Sequence, residues 1–267
     1  AQERATVEAR WSPGETRAMV FRVGETEFGR TWFRYDGPSE GGLHRFRLLL
    51  DCEGSKIGSL DYRLDADLFV DSGGHPRRLE MRARVPSGEQ LLVLDYGEGK
   101  ARGSIIMAEK EGAPGTTTQL EAEYPAGARV FANNLVGLLD LHFSLTPLPD
   151  EGKAETKLFE TQRLQAIDYT ASVVRTEDLD GTRYRIVADS FGEEIWLGPD
   201  DKIRRISIPG GKLRIDLEET PWPEWNVAGP AAASPRPDPV EGVRHVDVTI
   251  PGGDVALAAT LSLPEGA

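Results

Sequence analysis

The sequence contains one cysteine, Cys52, among its 267 residues. A disulfide within the chain needs two cysteines, and a cysteine-based structural zinc site needs several, so both are excluded. Long hydrophobic runs are also missing, because no stretch approaches the roughly 20 apolar residues that a membrane-spanning helix requires. The chain must therefore be held together by a packed core alone, and we expect no transmembrane segment.

Positive charge is scarce. Lysine and arginine total 31 against 44 aspartates and glutamates, which gives a formal net charge of -13. Affinity for nucleic acids comes largely from neutralising phosphates, so this balance argues against a DNA or RNA partner. Gly97, Gly99 and Gly103 do not have the spacing of a phosphate-binding glycine loop. We therefore predict neither a nucleic-acid partner nor a cofactor.

Strand-like patterns dominate the sequence. Short runs in which apolar and polar residues alternate are separated by turn residues, as expected for half-buried antiparallel strands. The fold class predicted is mainly β: a large antiparallel, curved sheet or half-barrel meander with one short helix and a C-terminal β-hairpin. The predicted strands of the main domain are Leu43–Leu50, Ile57–Val70, Arg77–Val85, Gln90–Tyr96, Ala101–Met107, Lys157–Thr170, Ala171–Arg175, Tyr184–Ala188, Glu193–Leu197, Lys202–Ile208 and Lys212–Leu217.

The stretch from Val130 to Leu145 breaks this alternation. Its leucines follow a helical spacing behind Asn133 and Asn134, two residues that are favourable at the N-cap of a helix. We predict one short helix that covers an end or the concave side of the sheet. The leucines in question are Leu135, Leu138, Leu139 and Leu141.

The composition changes near the C-terminus, which divides the chain into three parts. Residues 1–218 are predicted to form the antiparallel β domain, residues 219–242 a linker rich in proline, alanine and tryptophan, and residues 243–267 a β-hairpin. An exposed tryptophan in a free linker would leave a large apolar area in water. We therefore expect Trp222 and Trp225 to anchor the first part of the linker on the domain surface.

The last segment, Val243 to Gly266, has a strand, a turn at Gly252-Gly253, and a second strand that ends in Leu261-Ser262-Leu263-Pro264-Glu265-Gly266. It resembles the opening hairpin of secreted α/β-hydrolases. The resemblance implies a downstream α/β-hydrolase domain carrying His-Gly and Gly-x-Ser-x-Gly segments. No catalytic residue is assigned to this chain on that basis. The alternative is an ordinary terminal hairpin. The preceding region also resembles uncharacterised β-rich domains of bacterial envelope proteins.

Residues Asp71-Ser72-Gly73-Gly74-His75 are similar to the surround of the nucleophile in trypsin-like proteases. A triad needs its histidine and acid brought in from other elements in defined contexts, and His44 upstream lacks such a context. We interpret residues 71–76 as a turn between two strands. Likewise, Asp178-Leu179-Asp180-Gly181 begins like a calcium loop but lacks its later acidic ligands, so a β-turn is predicted.

Four aspartates share one face of a predicted strand, and three arginines share one face of the next, because side chains alternate with period two along a strand. Such a row of acids suits a hard cation such as calcium. The opposite face is apolar, so we interpret the acids as a solvated face whose charges pair across the strands. The two sets are Asp61, Asp65, Asp67 and Asp71, followed by Arg78, Arg82 and Arg84.

The four histidines, His44, His75, His142 and His245, show no zinc-like spacing, and His142 is the one to inspect. We predict no catalytic, cofactor-binding or metal-binding residue. The function expected is a non-catalytic accessory module of an extracytoplasmic serine hydrolase. One alternative is a stand-alone envelope module that binds an apolar small molecule or lipid in its curved sheet. Another is an enzyme in which His142 or His75 meets a nucleophile and an acid.

The first residues, Ala1-Gln2-Glu3, are typical of a chain cut by signal peptidase behind a small residue. We therefore expect a secreted or periplasmic protein.

Overall fold

The structure is a computed structural model that describes residues 5–110, 113–132, 135–146, 148–149, 152–208, 212–227, 230, 243–252 and 255–264. The chain divides into two compact units, residues 1–231 and residues 232–267. In the first unit a single curved sheet of 15 strands carries the fold, and the second unit holds a two-stranded sheet. This confirms the predicted fold class.

The sheet of the first unit consists of two meanders joined side by side. Strands β1 to β8 follow one another as antiparallel neighbours, and β1 pairs antiparallel with β15 of the second meander. The second meander runs back from β15 to β9, and β9 and β10 are parallel. The strands are β1 Thr16–Val23, β2 Thr26–Pro38, β3 His44–Glu53, β4 Asp61–Val70, β5 Pro76–Val85, β6 Gly88–Gly97, β7 Lys100–Ala108, β8 Thr116–Glu123, β9 Arg129–Phe131, β10 Ala154–Glu160, β11 Gln165–Leu179, β12 Thr182–Asp189, β13 Glu194–Leu197, β14 Ile203–Ser207 and β15 Leu213–Glu218.

Three predicted strands had the wrong bounds. One of them, Ala171–Arg175, is the middle of β11 and not a separate strand. The strand predicted to begin at Ile57 begins at Asp61, because residues 54–57 form a 3-10 turn and Gly58 adopts a φ of +77°. Leu60 therefore lies outside the strand and is 65% exposed. The strand predicted over residues 157–170 is divided between β10 and β11 by a turn in which Leu164 has a φ of +52°.

Two short helices belong to this unit, α1 at Val7–Arg10 and α2 at Val136–Leu145. The predicted helix is α2, and every one of its residues is buried. Its N-cap is Leu135, so the helix begins later than its sequence signals indicated, while Asn133 and Asn134 lie outside the described residues. No helix in the part of the chain described has the length and apolarity needed to cross a membrane.

The helix α2 packs directly on the inner face of β2. The ring of Phe33 stacks on Phe46 at 5.1 Å between centroids, and Trp11 meets both rings edge-on. Gly137 lies against Phe33 so closely that an added Cβ atom would be 2.5 Å from the ring. The absence of a side chain at Gly137 therefore allows α2 to lie close to the sheet.

Polar side chains also fix α2 in place. Asp140 is fully buried, and its carboxylate accepts a hydrogen bond from the backbone N–H of Ile203 on β14. Its second oxygen binds Arg17 of β1. At the next turn, the indole N–H of Trp11 donates to Ser144 at 3.0 Å. The helix is thus tied to both meanders and to the segment after α1.

The second unit contains β16, Val243–Gly252, and β17, Val255–Pro264. The two strands pair antiparallel from Val243↔Pro264 to Gly252↔Val255. The predicted C-terminal hairpin is therefore confirmed.

Candidate functional site on the outer face of the sheet

On the inner face, the space that the described residues leave beside α2 is small. The space that remains between α2 and strands β4 and β9 measures about 10 Å³ and is lined partly by Leu68, Val130, Leu138 and His142. A volume of that size holds at most one water molecule. An apolar ligand enclosed at this place is therefore not supported.

The outer face is crossed by residues 219–227, which we call the strap. Trp222 and Trp225 of the strap pack on an apolar cluster formed by Ala18, Trp32 and Leu49. Trp225 meets Trp32 edge-to-face at 6.1 Å. The anchoring expected for the two linker tryptophans is thus observed, and it explains why Trp32 is only 6% exposed although it points away from the inner core.

Arginines from three strands hold the tryptophans of the strap. The guanidinium of Arg34 lies 4.4 Å from the ring centroid of Trp222, and that of Arg47 lies 5.4 Å from the same ring. Arg63 lies 5.4 Å from the ring of Trp225. Cation–π contacts of this kind are attractive within about 6 Å, so the strap is docked by charge as well as by apolar area.

The row of acids on β4 is not the solvated face that the sequence indicated. Asp65 is 3% exposed and Asp67 is 9% exposed, because the strap covers this part of the sheet. Burial raises the pKa of Asp65, while Arg47 and a backbone hydrogen bond from Val227 in the strap act in the opposite direction. The predicted solvent exposure was thus wrong for Asp65 and Asp67. The buried carboxylate of Asp65 is in contact with both the sheet and the strap.

The predicted pairing of the two sets across strands is present for Asp67 and Arg82. Asp67 binds Arg45 at 2.7 Å and lies 3.8 Å from Arg82. Arg78 binds Glu80 on its own strand and Arg84 binds Glu89 on β6, whereas Asp71 binds Arg77 at 3.0 Å. Asp61, by contrast, is exposed and accepts the backbone N–H of Ser55 at 2.8 Å. In the described residues no three metal-ligating side chains come together.

Residues 71–75 form the predicted turn between β4 and β5. The Asp71 carboxylate accepts the backbone N–H of His75 at 2.9 Å and lies 3.1 Å from its ring nitrogen Nδ1. The carbonyl of Ser72 accepts a hydrogen bond from the backbone of Val7. These contacts close the turn and attach it to α1. The predicted turn at Asp178–Gly181 likewise connects β11 and β12.

The histidines do not converge on a cleft. His142 is buried in α2, and its desolvation lowers its pKa to about 3, so its ring is neutral in the physiological range. It packs on Tyr169 at 5.8 Å between centroids. His44 is enclosed between the hydroxyl of Tyr35 and the carboxylate of Glu8. His245 lies on β16 in the other unit.

A second feature of the outer face is a groove of about 520 Å³ that the sequence patterns did not reveal. We call it the arginine groove. It arises from register, because Trp196, Arg205 and Asp216 are neighbours across β13, β14 and β15 on the face opposite the core isoleucines. Its lining comprises Arg22, Leu179, Tyr184, Trp196, Arg204, Arg205, Arg214, Asp216, Leu217 and Glu218.

Asp216 lies at the centre of the arginine groove. Its carboxylate accepts hydrogen bonds from Arg205 and from Arg214, each at 2.6 Å, and Arg22 approaches it to 3.4 Å. Arg22 also binds Glu218 and lies 3.6 Å from Glu27. Several arginines therefore share few carboxylates at this point of an acidic protein.

No family model matches the chain, and no curated protein matches it. The solved structures that are similar to it include the following two. One is a beta-barrel-like protein of the domain of unknown function DUF1849 from Brucella abortus, with 12% identity, a TM-score of 0.42, and coverage of 78% of this chain and 96% of the other. The other is a DUF1089 family protein from Pseudomonas aeruginosa, with 16% identity, a TM-score of 0.40, and coverage of 68% and 90%. Neither similarity assigns an activity to this chain.

Proposed function

We propose that this chain is a non-catalytic accessory module of an extracytoplasmic serine hydrolase. In this proposal the first unit is a rigid base, and the strap fixes the point from which the chain leaves it. The observation that carries the proposal is the docking of Trp222 and Trp225 on the outer face of the sheet.

A docked strap suits a module that holds a downstream domain at a fixed starting point. A linker that makes no contact with a domain keeps its conformational freedom in solvent. Residues 219–227 lose this conformational entropy, because the indole rings of Trp222 and Trp225 pack against β1, β2 and β3. Ordering a segment is costly, and the contacts with arginines and with Trp32 compensate for that cost.

The C-terminal hairpin supports the hydrolase part of the proposal. Its two strands pair from end to end around the Gly-rich segment, in the arrangement that the resemblance to secreted α/β-hydrolases implies. The small space beside α2, about 10 Å³, also favours a supporting role over an apolar ligand enclosed there.

The experiment starts from the reading frame beyond Ala267 and before Ala1. The proposal expects His-Gly and Gly-x-Ser-x-Gly segments downstream and a signal peptide upstream. The longer protein should then be labelled by a fluorophosphonate probe, which reacts with activated serines, whereas the present chain should not be labelled. A frame that ends without these segments, or labelling of the present chain itself, would refute the proposal.

The role of the strap is tested in that longer protein. Trp225→Ala should lower ester hydrolysis or change its substrate range while the serine remains reactive to the probe. Met107→Ala, which removes a half-exposed apolar side chain of β7 away from both the strap and the arginine groove, is the control. Equal activity of the wild type and Trp225→Ala would show that docking of the strap does not serve the hydrolase.

A further inference from the structure

The arginine groove carries more positive than negative charge. Its lining contains four arginines against Asp216 and Glu218. Nη2 of Arg204 donates a hydrogen bond to the carboxylate of Asp200 at 2.8 Å, so these two charges neutralise each other. Arg22 also lies 3.6 Å from Glu27, but Arg30 binds both oxygens of that carboxylate, so this neighbouring pair adds no net charge. Arg22, Arg205 and Arg214 therefore remain against Asp216 and Glu218, an excess of one positive charge. That excess is unexpected in a chain whose net charge is -13, and it attracts anions to this part of the surface.

Hydrogen-bond donors are also left over in the groove. A guanidinium has five N–H donors, whereas a carboxylate accepts about four hydrogen bonds. Arg205 and Arg214 each use Nε to bind Asp216. Within the residues that the structure describes, the Nη groups of these two arginines donate no hydrogen bond to the protein. Paired N–H groups of this kind match the oxygens of a phosphate or carboxylate.

An apolar wall adjoins these donors. Trp196 and Tyr184 lie 5.9 Å apart between ring centroids, and Leu179 is 46% exposed beside them. The guanidinium of Arg205 lies 5.2 Å from the Trp196 ring, so the charged and apolar parts of the groove are in contact. The groove volume of about 520 Å³ falls in the range of small-molecule sites.

We propose that the arginine groove binds a small organic anion that carries a ring. Its phosphate or carboxylate is held by the Nη groups of Arg205 and Arg214, and its ring lies against Trp196 and Tyr184. Asp216 holds the two arginines in place and competes with the ligand for them. This site goes beyond the accessory role proposed above and does not depend on it, because all its residues belong to the first unit.

Titration calorimetry on the whole chain tests this proposal, with phenyl phosphate, benzoate and inorganic phosphate as probes. Phenyl phosphate should bind saturably and about tenfold or more tightly than inorganic phosphate, because only the former reaches the aromatic wall. Stronger binding of phenyl phosphate than of benzoate would identify a phosphate ligand, and the reverse order a carboxylate. Either order supports the site.

Two variants with opposite expected effects distinguish a binding site from a structural network of ion pairs. Arg214→Gln should weaken phenyl phosphate binding about tenfold or more, because a charged donor pair is lost. Asp216→Asn should tighten it, because the amide keeps one oxygen that accepts a hydrogen bond from the arginines while the competing negative charge is removed. Arg102→Gln and Asp95→Asn change the charge equally at distant, exposed positions on β7 and β6 and should have little effect.

Thermal unfolding followed by circular dichroism verifies that each variant is folded. If Arg214→Gln does not fold, Arg214→Lys keeps the charge but loses the planar fork and should still weaken binding. Absence of saturable binding of both ring-bearing probes up to about 10 mM, a concentration that detects even weak millimolar affinity, would overturn the proposal. Equal binding by Arg214→Gln and Arg102→Gln would overturn it as well.

Discussion

The carboxylate of Asp140 on α2 accepts a hydrogen bond from Nε of Arg17 on β1 at 2.5 Å, and both side chains are almost completely buried. Its other oxygen accepts the backbone N–H of Ile203 on β14 at 2.7 Å. Strands β1 and β14 belong to different meanders and flank β15. One carboxylate therefore joins the two halves of the sheet through the helix. Its burial raises its pKa, an effect that Arg17 opposes.

Replacement of Asp140 by alanine should lower the free energy of unfolding by about 3–5 kcal/mol, because the charge of Arg17 would stay buried without its partner. Urea denaturation measures the loss. The double variant Arg17→Met with Asp140→Leu should lose much less, since both charges are gone. Asp95→Ala removes an exposed acid and should cost less than about 1 kcal/mol. A loss in Asp140→Ala no larger than in Asp95→Ala would contradict the structural role of the pair.

Gly137→Ala should destabilise the protein although alanine is the better helix former. Alanine gains about 1 kcal/mol of intrinsic helix preference over glycine. Here the new methyl group would lie 2.5 Å from the ring of Phe33, which Phe46 stacks upon. Overpacking of this kind costs about 1–3 kcal/mol or more and should outweigh the gain.

The melting temperature of Gly137→Ala, compared with that of Gly97→Ala, measures this destabilisation. Gly97 has no neighbouring atom within 4 Å of an added Cβ, so its replacement should be nearly neutral. A Gly137→Ala protein that melts above the wild type would show that α2 has room to move away from β2.

Trp225→Ala should lower the free energy of unfolding by about 1–3 kcal/mol, less than a fully buried tryptophan would, because the ring is only partly enclosed. The strap should also become accessible to proteases near residues 219–227. Limited proteolysis with mass spectrometry locates the cleavage. Trp196→Ala serves as the control, since it should leave the strap protected, and cleavage at equal rates in both variants would argue against docking.

Truncation after Glu218 should leave the first unit folded but less stable. The inner core around α2 does not include the strap, whereas Ala18, Trp32 and Leu49 lose their cover. A single cooperative urea transition at lower denaturant concentration is expected. Loss of cooperativity would show that the strap is an integral part of the β domain.

The strands that the sequence revealed are those with one apolar and one polar face, such as β3 to β7. Strand β1 escaped detection because Met19, Val20 and Phe21 are buried in succession, with the inner core on one side and the strap on the other. A strand covered on both faces loses its alternation. Strand β8 was missed for the opposite reason, since Thr116 to Gln119 are all exposed.

The arginine groove was missed because its residues come from β1 and from β11 to β15, and only the register of those strands brings them together. The pair Arg204-Arg205 was the one local sign of it. The strap, in contrast, was visible in the sequence, because tryptophan in a linker composition demands an apolar partner.

A buried carboxyl group should make the stability of the protein depend on pH. Glu193, just before β13, has a pKa raised to about 7 by its burial and by the nearby charge of Asp189. In the unfolded chain its pKa is close to 4.5. The folded protein therefore binds a proton more tightly between these two values. The stabilisation is complete below about pH 4.5 and is lost as the pH rises through about 7.

Glu193→Gln removes this dependence, so the variant and the wild type should be similar in stability near pH 4. At pH 8 the variant should be more stable, by an upper bound of about 3 kcal/mol. His142, with its pKa lowered to about 3, makes stability rise with pH over the acidic range, but it acts equally in both proteins and cancels in their difference. Urea denaturation from pH 4 to 8 measures that difference. Glu98→Gln, at a side chain that is 90% exposed, should give a flat difference curve, and a flat curve for Glu193→Gln would mean that Glu193 does not hold its proton in the fold.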